Sequence, residues 1–170
     1  MTERKLFITQ GEFAVADDPG TVISTILGSC VSCCLWDPHA GVGGMNHMLV
    51  AQDPRMHPAQ SSEGINDMEL LINALIRLGA HRSRLVAKAF GGGQMIKGLS
   101  RIGSQNSDFA VRYLARENIP LLVQSFGGPQ ARNLRFWPAT GRVLQKLTNE
   151  TVQEEASASR PIKMNGVELF

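Results

Sequence analysis

Apolar and polar positions alternate along most of this chain in short blocks cut by turn residues, a strand-rich pattern. Residues 7–16 hold two brief alternating stretches on either side of Gly11, followed by the turn Asp17-Asp18-Pro19-Gly20. Residues 21–27 are rich in β-branched side chains and predict a strand. Gly28-Ser29 interrupts it, residues 31–36 form the next strand, and residues 41–50 its partner. Residues 51–64 are polar and carry Pro54 and Pro58, so they read as a loop. The period then changes: Ile65, Met68, Ile72 and Leu75 recur at helical steps, widened by Leu71 and Ile76, over a helix at 63–78. Ser61 or Ser62 caps its start and Gly79 ends it.

Residues 84–90 read as a buried strand running into Gly91-Gly92-Gly93, and residues 108–117 as a shorter helix capped by Ser107. A strand at 120–126 closes on Gly127-Gly128-Pro129, and residues 134–147 form a hairpin turning at Pro138-Ala139-Thr140-Gly141. From Asn149 the chain is polar and weakly patterned, which predicts a loosely ordered tail at 149–170 with a short strand near its end. The expected fold class is therefore α/β (α+β): one domain over residues 1–148, a layered sandwich of mixed, largely antiparallel sheets with two main helices.

Composition narrows the function classes. A chain of 170 residues that is 43% apolar and holds 17 glycines can bury a sizeable core in one domain. Its net charge of +2 is spread along the sequence, without the single-sign stripe of a nucleic-acid binder. No apolar run approaches the roughly 18 residues of a membrane span, and the first residues lack a signal peptide's apolar core. The three cysteines lie within Cys30–Cys34, too close for a disulfide framework and outside common zinc spacings. These features predict a cytoplasmic protein with reduced thiols, not inserted in a membrane, with no metal and no cofactor.

The candidate chemistry sits in the hairpin. Asp37-Pro38-His39-Ala40 is a strong turn signal. If those four residues form the loop, Trp36 pairs with Gly41, and the same register sets Cys30 opposite His47. A thiol beside an imidazole is the minimum equipment for thiolate nucleophilic catalysis. Gly28 and Ser29 just before Cys30 allow a sharp turn whose amides could face an oxyanion. A one-residue slip would send the two side chains to opposite faces, so everything depends on loop length. The plain alternative stays open: Cys30 as a small buried hydrophobe and His47 as a satisfied core residue. Cys33 and Cys34 have no comparable partner. His39, His57 and His81 lie in turns or loops. Gly91-Gly92-Gly93 fits neither the dinucleotide fingerprint nor the P-loop and is expected to approach the site or a substrate chain closely.

The same residues carry a family resemblance. Gly11-Glu12-Phe13-Ala14-Val15, Leu27-Gly28-Ser29-Cys30-Val31, the Asp37-Pro38 turn and Gly43-Gly44-Met45-Asn46-His47 resemble the CheD family, the chemoreceptor glutamine deamidases of bacterial chemotaxis. Phe90-Gly91-Gly92-Gly93-Gln94-Met95 and Gly127-Gly128-Pro129 extend the match across most of the chain. The resemblance implies a hydrolase of the protein-glutamine glutaminase type with Cys30 as nucleophile and His47 as general base and acid. The family's orienting threonine falls on Ser24, with Thr25 the alternative if the strand slips by one. Gly28, Ser29, Gly92 and Gly93 would line the oxyanion and substrate side. Ala51 stands where the family tends to have proline. Implied partners are methyl-accepting chemotaxis receptors as protein substrates and a CheC-type phosphatase. The implied fold is a CheD-like sandwich related to deamidating toxins. A different class, a non-catalytic adaptor for the same partners, is the rival expectation.

Overall fold

The computed structural model describes residues 2–50, 61–95, 101–149 and 167–170. Strands β1 (Arg4–Phe7), β2 (Phe13–Ala16), β3 (Thr21–Leu27), β4 (Val31–Asp37) and β5 (Val42–Asn46) precede helix α1 (Ser62–Arg77). A 3-10 turn at Arg82–Arg84 leads into β6 (Val86–Gly91), followed by α2 (Arg101–Arg116), β7 (Leu121–Phe126), β8 (Ala131–Trp137), β9 (Arg142–Thr148) and β10 (Val167–Leu169). The strands form two five-stranded sheets, ordered β1-β3-β8-β9-β10 and β2-β5-β4-β6-β7. Most pairings are antiparallel; β1 with β3 and β6 with β7 are parallel. The expected α+β layered sandwich is the observed architecture.

Side-chain alternation on β4 explains the layers. Val31, Cys33 and Leu35 face one way and pack with Met68, Leu71, Ile72 and Leu75 of α1 and Phe109 and Tyr113 of α2. Cys34 and Trp36 face the other way, as does Cys30 just ahead of the strand. They join Ile23 and Leu27 of β3 and Leu134 and Phe136 of β8 between the sheets. Burying a large apolar side chain is worth about 1.5–3 kcal/mol, whereas an isolated hairpin is marginal in water. The two apolar layers therefore fix the strand faces, and every residue on β4 is buried.

The hairpin register differs from the expected one by two. Trp36 pairs with Gly43 and Asp37 with Val42, so the loop is residues 38–41. Asp37 causes the change. Its buried carboxylate accepts hydrogen bonds from the amides of His39 (2.9 Å) and Ala40 (3.1 Å), which makes it the turn's anchor rather than its first loop residue. The loop closes with Gly41, whose N–H reaches the Asp37 carbonyl at 2.9 Å.

Helix α1 begins as expected, with the Ser61 hydroxyl accepting from the Gly64 amide at 3.0 Å. Helix α2 starts seven residues earlier than expected, at Arg101, and Ser107 lies inside it. Its hydroxyl bonds back to the carbonyls of Gly103 and Ser104 instead of capping. The short strand expected near the end exists: β10 pairs with β9, and the Phe170 ring lies 5.4 Å from that of Phe90. Ala51 and most of the expected tail, residues 150–166, fall outside the described residues. Among the described residues, no helix is long and apolar enough to cross a membrane.

Candidate active site

Between β3 and β4 the chain leaves one sheet and enters the other through Gly28-Ser29-Cys30. Cys30 thus stands at the crossover, facing the inter-sheet layer with no exposed surface. Val31 and Met48 form a reciprocal backbone pair, at 3.0 and 2.8 Å. Carried one step further, that register sets Cys30 across from Leu49 and diagonal to His47. The two-residue shift is an even step, so Cys30 and His47 still share a face, now as diagonal rather than direct neighbours.

Between the Cys34–Met45 and Val31–Met48 pairs the ladder opens. The side-chain oxygen of Asn46 takes the Cys33 amide at 2.9 Å. The His47 backbone bonds instead to the turn joining β1 and β2. Its N–H donates to the Glu12 carbonyl at 3.0 Å, and its carbonyl accepts from Gly11 at 2.9 Å. His47 itself is 2% exposed.

The hydroxyl set on this imidazole belongs to Thr25, 2.7 Å from Nδ1. It does not belong to Ser24, the position first expected. Successive strand residues point to opposite faces, and Thr25 shares the inner face with Ile23 and Leu27. Ser24 takes the outer face. The Thr25 hydroxyl also donates its one hydrogen to the Ile8 carbonyl at 2.7 Å. Toward His47 its oxygen must then accept, so Nδ1 carries a ring proton, and in the neutral ring the lone pair lies on Nε2. That tautomer is the one a general base needs when Nε2 is the working nitrogen.

Gly92 and Gly93 lie beside the site, but their amides are committed. Gly92 donates to the Cys30 carbonyl and Gly93 to the Gly28 carbonyl, both at 2.9 Å. They clasp the crossover link, the close backbone approach to the site expected of this glycine run, and their amides are not turned toward a bound oxyanion. Gly91 is required here: its φ of +122° suits glycine alone, and a Cβ would sit 2.2 Å from the Cys30 carbonyl oxygen. Asn106 of α2 completes the clasp and escaped the sequence reading. Fully buried, it donates to the Ser29 carbonyl at 2.8 Å and accepts from the Val50 amide at 2.9 Å. Its only sequence signal was a polar residue in line with an apolar helix face.

Electrostatics separate the cysteines. Burial pushes the Cys33 thiol up to about 12. Burial and the neighbouring Cys33 push Cys34 well above the ordinary thiol range, although Lys88 opposes the shift. Neither is a thiolate near neutral pH. Glu12 is held below the usual carboxylate range by its hydrogen bonds from the Thr9 hydroxyl and amide, with a smaller contribution from His47. Among the described residues, no group of three or more His, Cys, Asp or Glu side chains could hold a metal ion.

Residues 52–147 match a family model described as CheD, chemotactic sensory transduction. The chain is 48% identical to a Rhizobium johnstonii protein named "Probable chemoreceptor glutamine deamidase CheD", over 98% of this chain and 96% of that one. A Caulobacter protein of the same name is 49% identical over 84% of this chain and 77% of its own. An Agrobacterium fabrum protein of that name is 42% identical over 98% of this chain and 97% of its own.

Proposed function

The chain belongs to the CheD family, and from that premise we propose that it is a chemoreceptor glutamine deamidase. It would convert glutamine side chains of methyl-accepting chemoreceptors to glutamate, working in the cytoplasm. The observation that carries this reading is the Ile8–Thr25–His47 chain of hydrogen bonds, which orients one imidazole on the face it shares with the Cys30 thiol.

In the first half-reaction His47 Nε2 takes the thiol proton and Cys30 Sγ attacks the carboxamide carbon. The tetrahedral oxyanion is met by backbone N–H groups of the Gly28–Cys30 link, each such donor being worth about 3 kcal/mol of barrier. His47 then gives its proton to the departing ammonia, leaving a thioester. In the second half-reaction His47 deprotonates a water, which adds to the thioester carbon. The C–S bond breaks, and glutamate and the free thiol are restored. Thr25 holds the imidazole in the productive tautomer throughout and acts only through His47. Balance requires no metal or organic cofactor.

Mass spectrometry of receptor peptides tests the reading: a gain of one dalton at glutamine, with ammonia released, is the expected result. Persistence of every glutamine would sink it. A rival reading takes the chain as an adaptor that only binds chemoreceptors or a CheC-type phosphatase, and the complete burial of Cys30 favours it. The same assay decides between them.

The orienting hydroxyl can be tested separately. Thr25→Val should lower kcat by about ten- to a hundredfold, and Thr25→Ser should restore most of it. Ser24→Ala should stay within about twofold of wild type. A larger loss at Ser24 than at Thr25, read from kcat, would reverse the assignment.

A further inference from the structure

One carboxamide already lies at the thiol. The Oε1 of Gln10 is 3.9 Å from Cys30 Sγ, which donates to it. Gln10 belongs to a tight turn over Thr9–Glu12. The Glu12 amide returns to the Thr9 carbonyl at 3.0 Å, and Gly11 has a φ of +84°. The Glu12 carboxylate fixes the turn further by accepting from both the amide (2.8 Å) and the hydroxyl (2.6 Å) of Thr9. The turn is bonded on both sides to the His47 backbone. A glutamine side chain is thus held by a rigid turn against the proposed nucleophile.

Gln10 and Leu49, the residue across from Cys30, line an open groove of about 210 Å³ whose far wall is Glu63, Asn66 and Asp67 of α1. Gln10 is part-exposed, while the thiol beneath it has no exposed surface. Gln10 therefore stands between the groove and the thiol, lining the one and touching the other.

We propose that Gln10 is an in-cis stand-in for the substrate: its carboxamide occupies the subsite that an incoming primary carboxamide enters, and it swings out before turnover. The inference rests on the deamidase reading for the nature of that incoming group. Gln10 also keeps the resting site quiet, because a hydrogen bond donated by the neutral thiol favours S–H over thiolate.

Iodoacetamide, itself a primary carboxamide, is the probe. Its rate of reaction at Cys30 is measured by peptide mass spectrometry in the full-length wild type, Gln10→Ala and Gln10→Glu, with Cys33 and Cys34 as internal controls. Gln10→Ala should react about tenfold faster at Cys30, with the two control thiols unchanged. It should also lower KM for a receptor glutamine peptide without lowering kcat. Gln10→Glu, which keeps the length and adds a charge that opposes a neighbouring thiolate, should react more slowly than wild type. Equal rates in all three proteins would overturn the proposal, as would a fall of kcat in Gln10→Ala. If receptor glutamines are converted while the alkylation rates do not differ, this inference fails alone. If no receptor glutamine is converted but iodoacetamide behaves as expected, the deamidase reading fails and the carboxamide subsite stands.

Discussion

Replacing Cys30 with alanine should reduce the conversion of receptor glutamine to glutamate by at least about a thousandfold, with the fold unchanged. The size follows from the role. Without sulfur there is no thioester, and what survives is attack by water in a site built for another nucleophile. His47→Ala should cost a similar factor, and the double variant should be little worse than either single one, because groups acting as a unit are not additive. Single-turnover mass spectrometry on one receptor peptide separates these cases. Near-normal rates in Cys30→Ala would move the chemistry elsewhere. Folding is expected to survive, because alanine at the crossover keeps the Gly92 bond to the residue-30 carbonyl and leaves a small gap among the inter-sheet side chains.

Loss of Asp37 should be the most damaging single change to stability. Its carboxylate is fully buried yet collects the amides of His39, Ala40 and His81 and the Arg84 guanidinium, the last at 2.9 Å. It ties the β4–β5 turn to the connection between α1 and β6. Leaving buried amide donors without their acceptor costs about 1–3 kcal/mol each, so Asp37→Ala should lower the urea midpoint sharply.

The pH dependence has a definite sign. Burial alone would raise the Asp37 pKa, but the His81 and Ala40 amides, Arg84 and the His39 amide together outweigh it and hold the group down to about 2, below the ordinary 3.8. A depressed folded-state pKa gives stability that is full above 3.8 and lost as the pH falls toward 2, worth about 2 kcal/mol. Urea titrations at pH 6 and pH 3 should show about half of that loss, roughly 1 kcal/mol, in wild type and lack it in Asp37→Asn. Equal losses in both proteins would assign the acid sensitivity to other carboxylates.

Much of the fold was legible in the sequence because its signals are local. Strand β3 was read at its true bounds, the Pro138–Gly141 turn was placed, and α1 was found from its apolar stripe and its serine cap. The misses share a different physics. The hairpin register turned on which side of the loop Asp37 belonged to, and its partners His81 and Arg84 are more than forty residues away in sequence. The start of α2 is spelled largely with glycine, serine and asparagine, poor signals for a helix. It is held in part by Asn106, whose bonds run to Ser29 and Val50.

Thr25 was reached only as an alternative. Val22 and Ile26 are as apolar as Ile23 and Leu27, so the alternation on β3 does not say which face is inner. The family comparison counts positions along the chain, whereas the imidazole responds to strand parity. Gln10, in a short polar turn, gave no signal until the turn was seen seated on His47.

The crossover at Gly28–Cys30 has a consequence for how such a protein loses activity. Thr25 hangs from one sheet, Cys30 and His47 from strand ends of the other, and among the described residues no ladder hydrogen bond joins the two β-layers at that point. On the proposed mechanism the chemistry reads the gap between the layers. Shear of half an ångström would spoil a 2.7 Å contact while leaving every strand pairing intact. Mild heat or dilute denaturant that relaxes side-chain packing before it melts the backbone ladders would then silence the protein at full secondary structure.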